Sequence, residues 1–202
     1  MSKEKPTTKA LARARAQRAR VLTAAQSCFV ESGFHAASMA NIAETAGMSP
    51  GLIYRYFENK NAIILAIIEQ HLTIARRRIR ELQSPTHLTK RIVDFFDEQE
   101  AAAENSINSM LYLEISAQAT RDPQIAEAVK RFDIAVCSEL ADWLSRSRDD
   151  GGYGVPIDIA PTRALVLMCL IEGLKVRSRR EPDPDRELLG RTIEGIIGTL
   201  VN

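Results

Sequence analysis

The sequence is short of cysteine, histidine and aromatic residues, and each shortage removes a class of protein. Cys28, Cys137 and Cys169 are odd in number and far apart. They read as buried thiols, with a redox sensor as the lesser alternative and no disulfide framework or zinc site. His35, His71 and His87 share no pairing motif with one another or with the cysteines. Without a nucleophile beside a base, or a cluster of metal ligands, neither an enzyme nor a bound cofactor or metal is expected. No apolar run approaches the ~18 residues of a membrane span, and no apolar leader precedes the charged residues, so a cytoplasmic protein without membrane contact is expected. Strand alternation and Asn-Gly hairpin signals are missing. The glycines of DDGGYGVP, residues 149–156, follow no strand and precede no lysine, which excludes a phosphate-binding loop and leaves a loop expected to be flexible.

What is present points to helices and to a polyanion. Hydrophobic residues make up 45% of the 202 positions, enough for a real core. Net charge is +1, but residues 1–80 hold 13 Lys/Arg against 5 Asp/Glu, and residues 81–202 hold 14 against 21. A basic end suited to nucleic acid precedes an acidic remainder.

Residues 38–60, SMANIAETAGMSPGLIYRYFENK, organise the basic end. Ser38 suits a helix N-cap, Ile42, Ala43 and Ala46 give one small apolar face, and Gly47 supplies a left-handed stop. Ser49 then caps a second helix with Pro50 in its first turn, expected to run through Leu52, Ile53, Tyr54, Arg55 and Tyr56. Two short helices around a tight Gly turn make a helix-turn-helix, whose second helix enters a DNA major groove. Ile53 and Phe57, four apart, face inward, leaving Tyr54, Arg55 and Tyr56 to reach phosphates or bases. Lys60 places a cation at the start of the next helix, against the macrodipole, and a phosphate contact would explain it.

Ala46, Gly47, Ser49, Gly51, Tyr54, Tyr56, Phe57 and Lys60 together resemble the N-terminal signature of the TetR family of transcriptional regulators. The resemblance covers residues 21–65; beyond it only length and helical character agree. It implies an all-α chain with a DNA-binding domain at 1–62 and a helical effector-binding and dimerisation domain at 63–202. The DNA-binding set it implies is Ser38, Ser49, Pro50, Gly51, Leu52, Tyr54, Arg55, Tyr56 and Lys60. The basic run Arg13, Arg15, Arg18 and Arg20 is either a solvated lead-in to a first helix at 15–32, ended by Gly33, or an arm reaching DNA.

Helices are expected at 61–81, 87–104, 106–120, 123–147, 159–180 and 185–201. Small residues among branched apolar ones in the last two suggest a four-helix dimer interface through Leu167, Ile171, Gly173, Leu174, Ile193, Gly195, Ile197 and Gly198, with an intrachain core as the alternative. Phe95, Phe96, Met110, Leu113, Phe132, Trp143 and Met168 are the large side chains expected around an effector cavity. Glu114, on an apolar stripe, needs a partner: Arg121, Arg163 or a ligand. The expected whole is a homodimeric repressor on a palindromic double-stranded DNA operator, released by an unknown small-molecule effector. A helix-turn-helix dimer governed by a partner protein is the competing reading.

Overall fold

The computed structural model describes residues 8–82, 85–94, 109–181 and 183–201, and all their regular structure is helical. The helices are α1 (Thr8–Ala36), α2 (Met39–Thr45), α3 (Pro50–Ile53), α4 (Lys60–Arg80), α5 (Pro85–Asp94), α6 (Ser109–Ala119), α7 (Pro123–Ser145), α8 (Ala160–Arg180) and α9 (Arg186–Val201). They form two compact units, Met1–Ile67 and Ile68–Asn202. The division lies inside α4, later than the boundary expected at 62.

In the first unit, Val21, Ala25 and Phe29 recur along one face of α1 and are at most 1% exposed. Ile42 and Ala43 of α2, Ile53 of α3 and Ile63 and Ile64 of α4 are buried in the same unit, where α2 packs on α1 and on α3. Each fully buried Ile or Phe here contributes about 1.5–3 kcal/mol. Gly33 (φ 76°) kinks the end of α1 and turns Phe34 inward, 5.3 Å from the Phe29 ring. The start of α1 corrects the expectation of a first helix beginning near Arg15: Thr8 onward is helical, so Arg13, Arg15, Arg18 and Arg20 lie on α1.

In the second unit, α7 packs on α6 and α8, and α5 on α9. Trp143 and Leu144 of α7, Leu167 of α8 and Ile193 of α9 are at most 1% exposed. The residues expected at an interface of α8 and α9 divide into two groups. Leu167, Leu174, Ile193 and Ile197 belong to the core of the chain itself. Gly173, Gly195 and Gly198 instead open onto free space, where a side chain would meet nothing within 4 Å. The outward face carries Leu165, Val166 and Leu188, between 44% and 56% exposed, with Cys169 also exposed. Of the three thiols only Cys28 is buried.

The glycine-rich loop is held in place, against the flexibility expected of it. Gly152 and Gly154 donate to the carbonyls of Ser147 (2.9 Å) and Arg146 (2.7 Å), and Val155 to that of Leu144 (3.0 Å). The Trp143 indole donates to the Gly151 carbonyl at 3.1 Å, and its ring meets Tyr153 edge-on at 5.0 Å. Gly152 is needed for close approach, since a Cβ there would overlap the Arg146 carbonyl.

Candidate functional site

The local chemistry of α2 and α3 follows the sequence. Ser38 and Asn41 make a reciprocal capping box: the Asn41 N–H donates to Ser38 Oγ at 3.1 Å, and the Ser38 N–H to Asn41 Oδ1 at 3.2 Å. Gly47 ends the α2 turn at φ 59°, and the Arg20 guanidinium lies 2.5 Å from where a Cβ would stand. The left-handed backbone therefore requires glycine, while the mobile end of Arg20 could give way to a side chain. Ser49 holds the N-cap position of α3 with Pro50 in the first turn, but its side chain makes no cap hydrogen bond. The α-helix stops at Ile53, short of the expected Tyr56. The chain continues through tight turns, with Tyr56 donating to the Ile53 carbonyl at 2.9 Å and Phe57 to the same oxygen at 3.0 Å.

Those turns anchor Ile53 and Phe57, 0% and 3% exposed, and set the residues between them outward. Tyr54 is 55% exposed, Arg55 is exposed and Tyr56 half-buried. Ser38, Ser49, Pro50 and Gly51 are exposed and Leu52 half-buried. A side chain at Gly51 would meet nothing within 4 Å, so the fold itself makes no demand for glycine there.

Lys60 departs from the expectation of a phosphate contact. Its ammonium donates to the carbonyls of Ala37 (2.6 Å), Phe34 (2.7 Å) and His35 (3.3 Å) and lies 4.6 Å from the Phe34 ring centre. Burial pulls its pKa down from the usual value. The three donors of the ammonium are thus used on the carbonyls after the Gly33 kink, which explains a cation at a helix start without DNA. Arg18 is similarly occupied, bonding the Tyr56 carbonyl at 3.1 Å and covering the Phe57 ring at 4.2 Å. Arg13 and Arg15 stay exposed on α1.

The second unit holds a half-open cavity of about 570 Å³. Apolar walls come from α4 (Ile68, Ile74, Ile79), α5 (Leu88, Ile92), α7 (Val129, Phe132, Val136) and α8 (Met168, Ile171, Leu174). Of the large side chains expected around an effector cavity, Phe132 and Met168 line this one. Ile171, expected at the dimer interface, lines it too. Met110, Leu113, Glu114 and Trp143 do not. Trp143 is sealed in the core against Tyr153, and Glu114 has its own partner in the protein. Phe95 and Phe96 fall outside the described residues.

The polar lining is a set the sequence reading missed: His71 and Arg78 from α4, Tyr112 and Ser116 from α6, Asp133 from α7, and Glu172 and Lys175 from α8. Their charges act on one another. Burial, then the Glu172 charge, raises Asp133 to about 6. Burial lowers Lys175 to about 8 against the pull of Glu172 and Asp133. Burial, then Lys175 and Arg78, lowers His71 to about 4, so it is neutral at pH 7. Burial and Glu172 raise the Tyr112 phenol. One signal was available: Glu172 and Lys175, three apart, interrupt an otherwise apolar stretch of α8.

Residues 21–67 match the family described as bacterial regulatory proteins, tetR family. The HTH-type transcriptional regulator UidR of Escherichia coli K12 is 33% identical over 152 residues, covering 74% of this chain and 76% of UidR. The chain belongs to the TetR family. Salmonella enterica GusR matches with a TM-score of 0.74 and 26% identity over 92% of this chain and 95% of GusR. The HTH-type transcriptional repressor AcnR of Corynebacterium diphtheriae is 29% identical over 152 residues, 72% of this chain and 74% of AcnR. As a TetR-family member the chain is a DNA-binding transcriptional regulator. Among the described residues, no helix of this TetR-family chain is long and apolar enough to cross a membrane.

Proposed function

We propose that the chain is a homodimeric repressor that binds a palindromic operator and is released by a small molecule in the cavity of its second unit. The observation that carries this reading is α4. One continuous helix bears Lys60, which holds the carbonyls at the end of α1, and Ile68, His71, Ile74, Arg78 and Ile79, which line the cavity. A ligand that shifts the cavity wall acts on the element that carries the DNA-binding unit. Ligand and DNA then favour different states of one molecule, and each weakens the other.

On the DNA side, Pro50, Gly51 and Leu52 offer few side-chain donors. Backbone approach at Gly51, phosphate bonds from Ser38, Ser49, Tyr54 and Tyr56, and base reading by Arg55 supply the contacts. The dimer forms through the outward face of α8 and α9, on Leu165, Val166, Gly173, Leu188 and Gly195, because those apolar and small residues stand exposed in the single chain.

Selection of bound fragments from random DNA, followed by footprinting upstream of the chain's own gene, tests the reading. A two-fold site is expected, with half-sites about 34–36 Å apart or a multiple of that. Arg55→Ala lowers affinity by about 1–3 kcal/mol and relaxes selectivity at one position per half-site. Activation in place of repression in a reporter strain, or a site without two-fold symmetry, would contradict it.

A further inference from the structure

Resting on the sensor reading above, we propose that the cavity selects a neutral amphiphile with an apolar body and a hydroxyl-bearing head, whose hydroxyls accept from Lys175 and donate to Asp133. The body follows from the walls, which are branched aliphatic side chains of α4, α5, α7 and α8 with Phe132 among them. The head follows from what the polar residues lack. Lys175 and Asp133 both line the cavity, and neither side chain makes a hydrogen bond or ion pair to a described residue. The Lys175 ammonium lies over the face of the Tyr112 ring, 4.4 Å from its centre. Half-buried charged groups that make no hydrogen bond to a described residue gain from a ligand that supplies one.

Charge balance decides what that ligand is. Asp133 and Glu172 bring acidic side chains to the cavity, Lys175 and Arg78 basic ones; His71 is neutral, and Arg77 and Glu81 at the rim approach each other at 3.9 Å. The two signs already cancel. A permanent anion would satisfy Lys175 but face Asp133 and Glu172, and a permanent cation would satisfy the carboxylates but face Lys175 and Arg78. A hydroxyl donates and accepts at once, so it pairs with both signs and carries no charge into the site. Tyr112 and Ser116 extend the same two-way chemistry along α6.

Three probes that share an eight-carbon chain, octane-1,2-diol, octanoate and octylammonium, separate the head groups. Each competes with the neutral fluorophore N-phenyl-1-naphthylamine on the full chain. The diol displaces the fluorophore at a concentration at least about tenfold below either charged probe. Asp133→Asn and Lys175→Met each weaken the diol about fivefold or more, measured against each variant's own fluorophore affinity, and a cooperative melting transition by circular dichroism shows that the variants fold. If Lys175→Met does not fold, Asp133→Asn alone decides. Preference for octanoate or octylammonium, or a diol indifferent to these substitutions, overturns the head-group assignment and leaves the sensor reading standing. Failure of the wild type to take up the fluorophore or any probe overturns the sensor reading, and this inference with it.

Discussion

Lys60 and His71 stand on the same helix and show how one side chain acquires a role from what surrounds it. The Lys60 ammonium closes three carbonyls of the α1 end, so Lys60→Met removes a charged hydrogen-bond hub. The expected loss is about 1–3 kcal/mol in urea unfolding followed by circular dichroism. An unchanged midpoint would return Lys60 to the phosphate role first expected of it. His71, 5% exposed, is held neutral with a pKa near 4, below its usual 6.5. The unfolded chain binds that proton first, so stability present above pH 6.5 is lost as pH falls towards 4, by on the order of 3 kcal/mol. Asp133 works the other way. Its pKa is raised to about 6, the folded state holds the extra proton between its usual 3.8 and 6, and that stabilisation is lost as pH rises through 6. Asp133→Asn therefore steepens the acid loss and His71→Gln flattens it, which urea midpoints at pH 6.5 and 4 will show.

At the scale of the element, α3 is the informative case. Glycine in a helix costs roughly 0.5–1 kcal/mol relative to alanine, yet nothing within 4 Å of Gly51 demands it. Gly51→Ala should therefore raise thermal stability slightly and weaken operator binding, by closing the backbone to DNA. Weaker folding, or unchanged operator affinity, would remove the DNA-approach role. This part of the chain was legible because its signals are local: the Ser38–Asn41 cap, Gly47 and Pro50 lie within one turn of what they determine. The length of α3 was not, since tight turns at Tyr54 to Tyr56 differ from a helix by single hydrogen bonds. The cavity was illegible for the opposite reason. His71, Tyr112, Asp133 and Lys175 stand on α4, α6, α7 and α8, far apart in sequence, and only packing brings them to one space. Leu167 and Ile193 were ambiguous for a third reason: an apolar helix face reads the same whether it packs within a chain or between two chains.

For the whole molecule, dimerisation and coupling are two separate claims. Leu165 and Leu188 stand 56% and 55% exposed on the outward face of α8 and α9. Leu165→Glu with Leu188→Glu should shift sedimentation towards monomer and abolish cooperation between half-sites, while the monomer core, which uses neither residue, stays folded. Coupling rests on α4, which carries both Lys60 and the cavity lining. Thermodynamics requires that whatever factor a cavity ligand takes from operator affinity, the operator takes from ligand affinity. The direct measurement is a pair of titrations with one compound that raises the melting temperature: operator affinity with and without the compound, and compound affinity with and without operator. The expected result is the same reduction in both, about 5- to 150-fold. Operator affinity that is unmoved at saturating compound, with compound affinity unmoved by operator, would contradict the coupled sensor and leave a DNA-binding dimer governed by another protein.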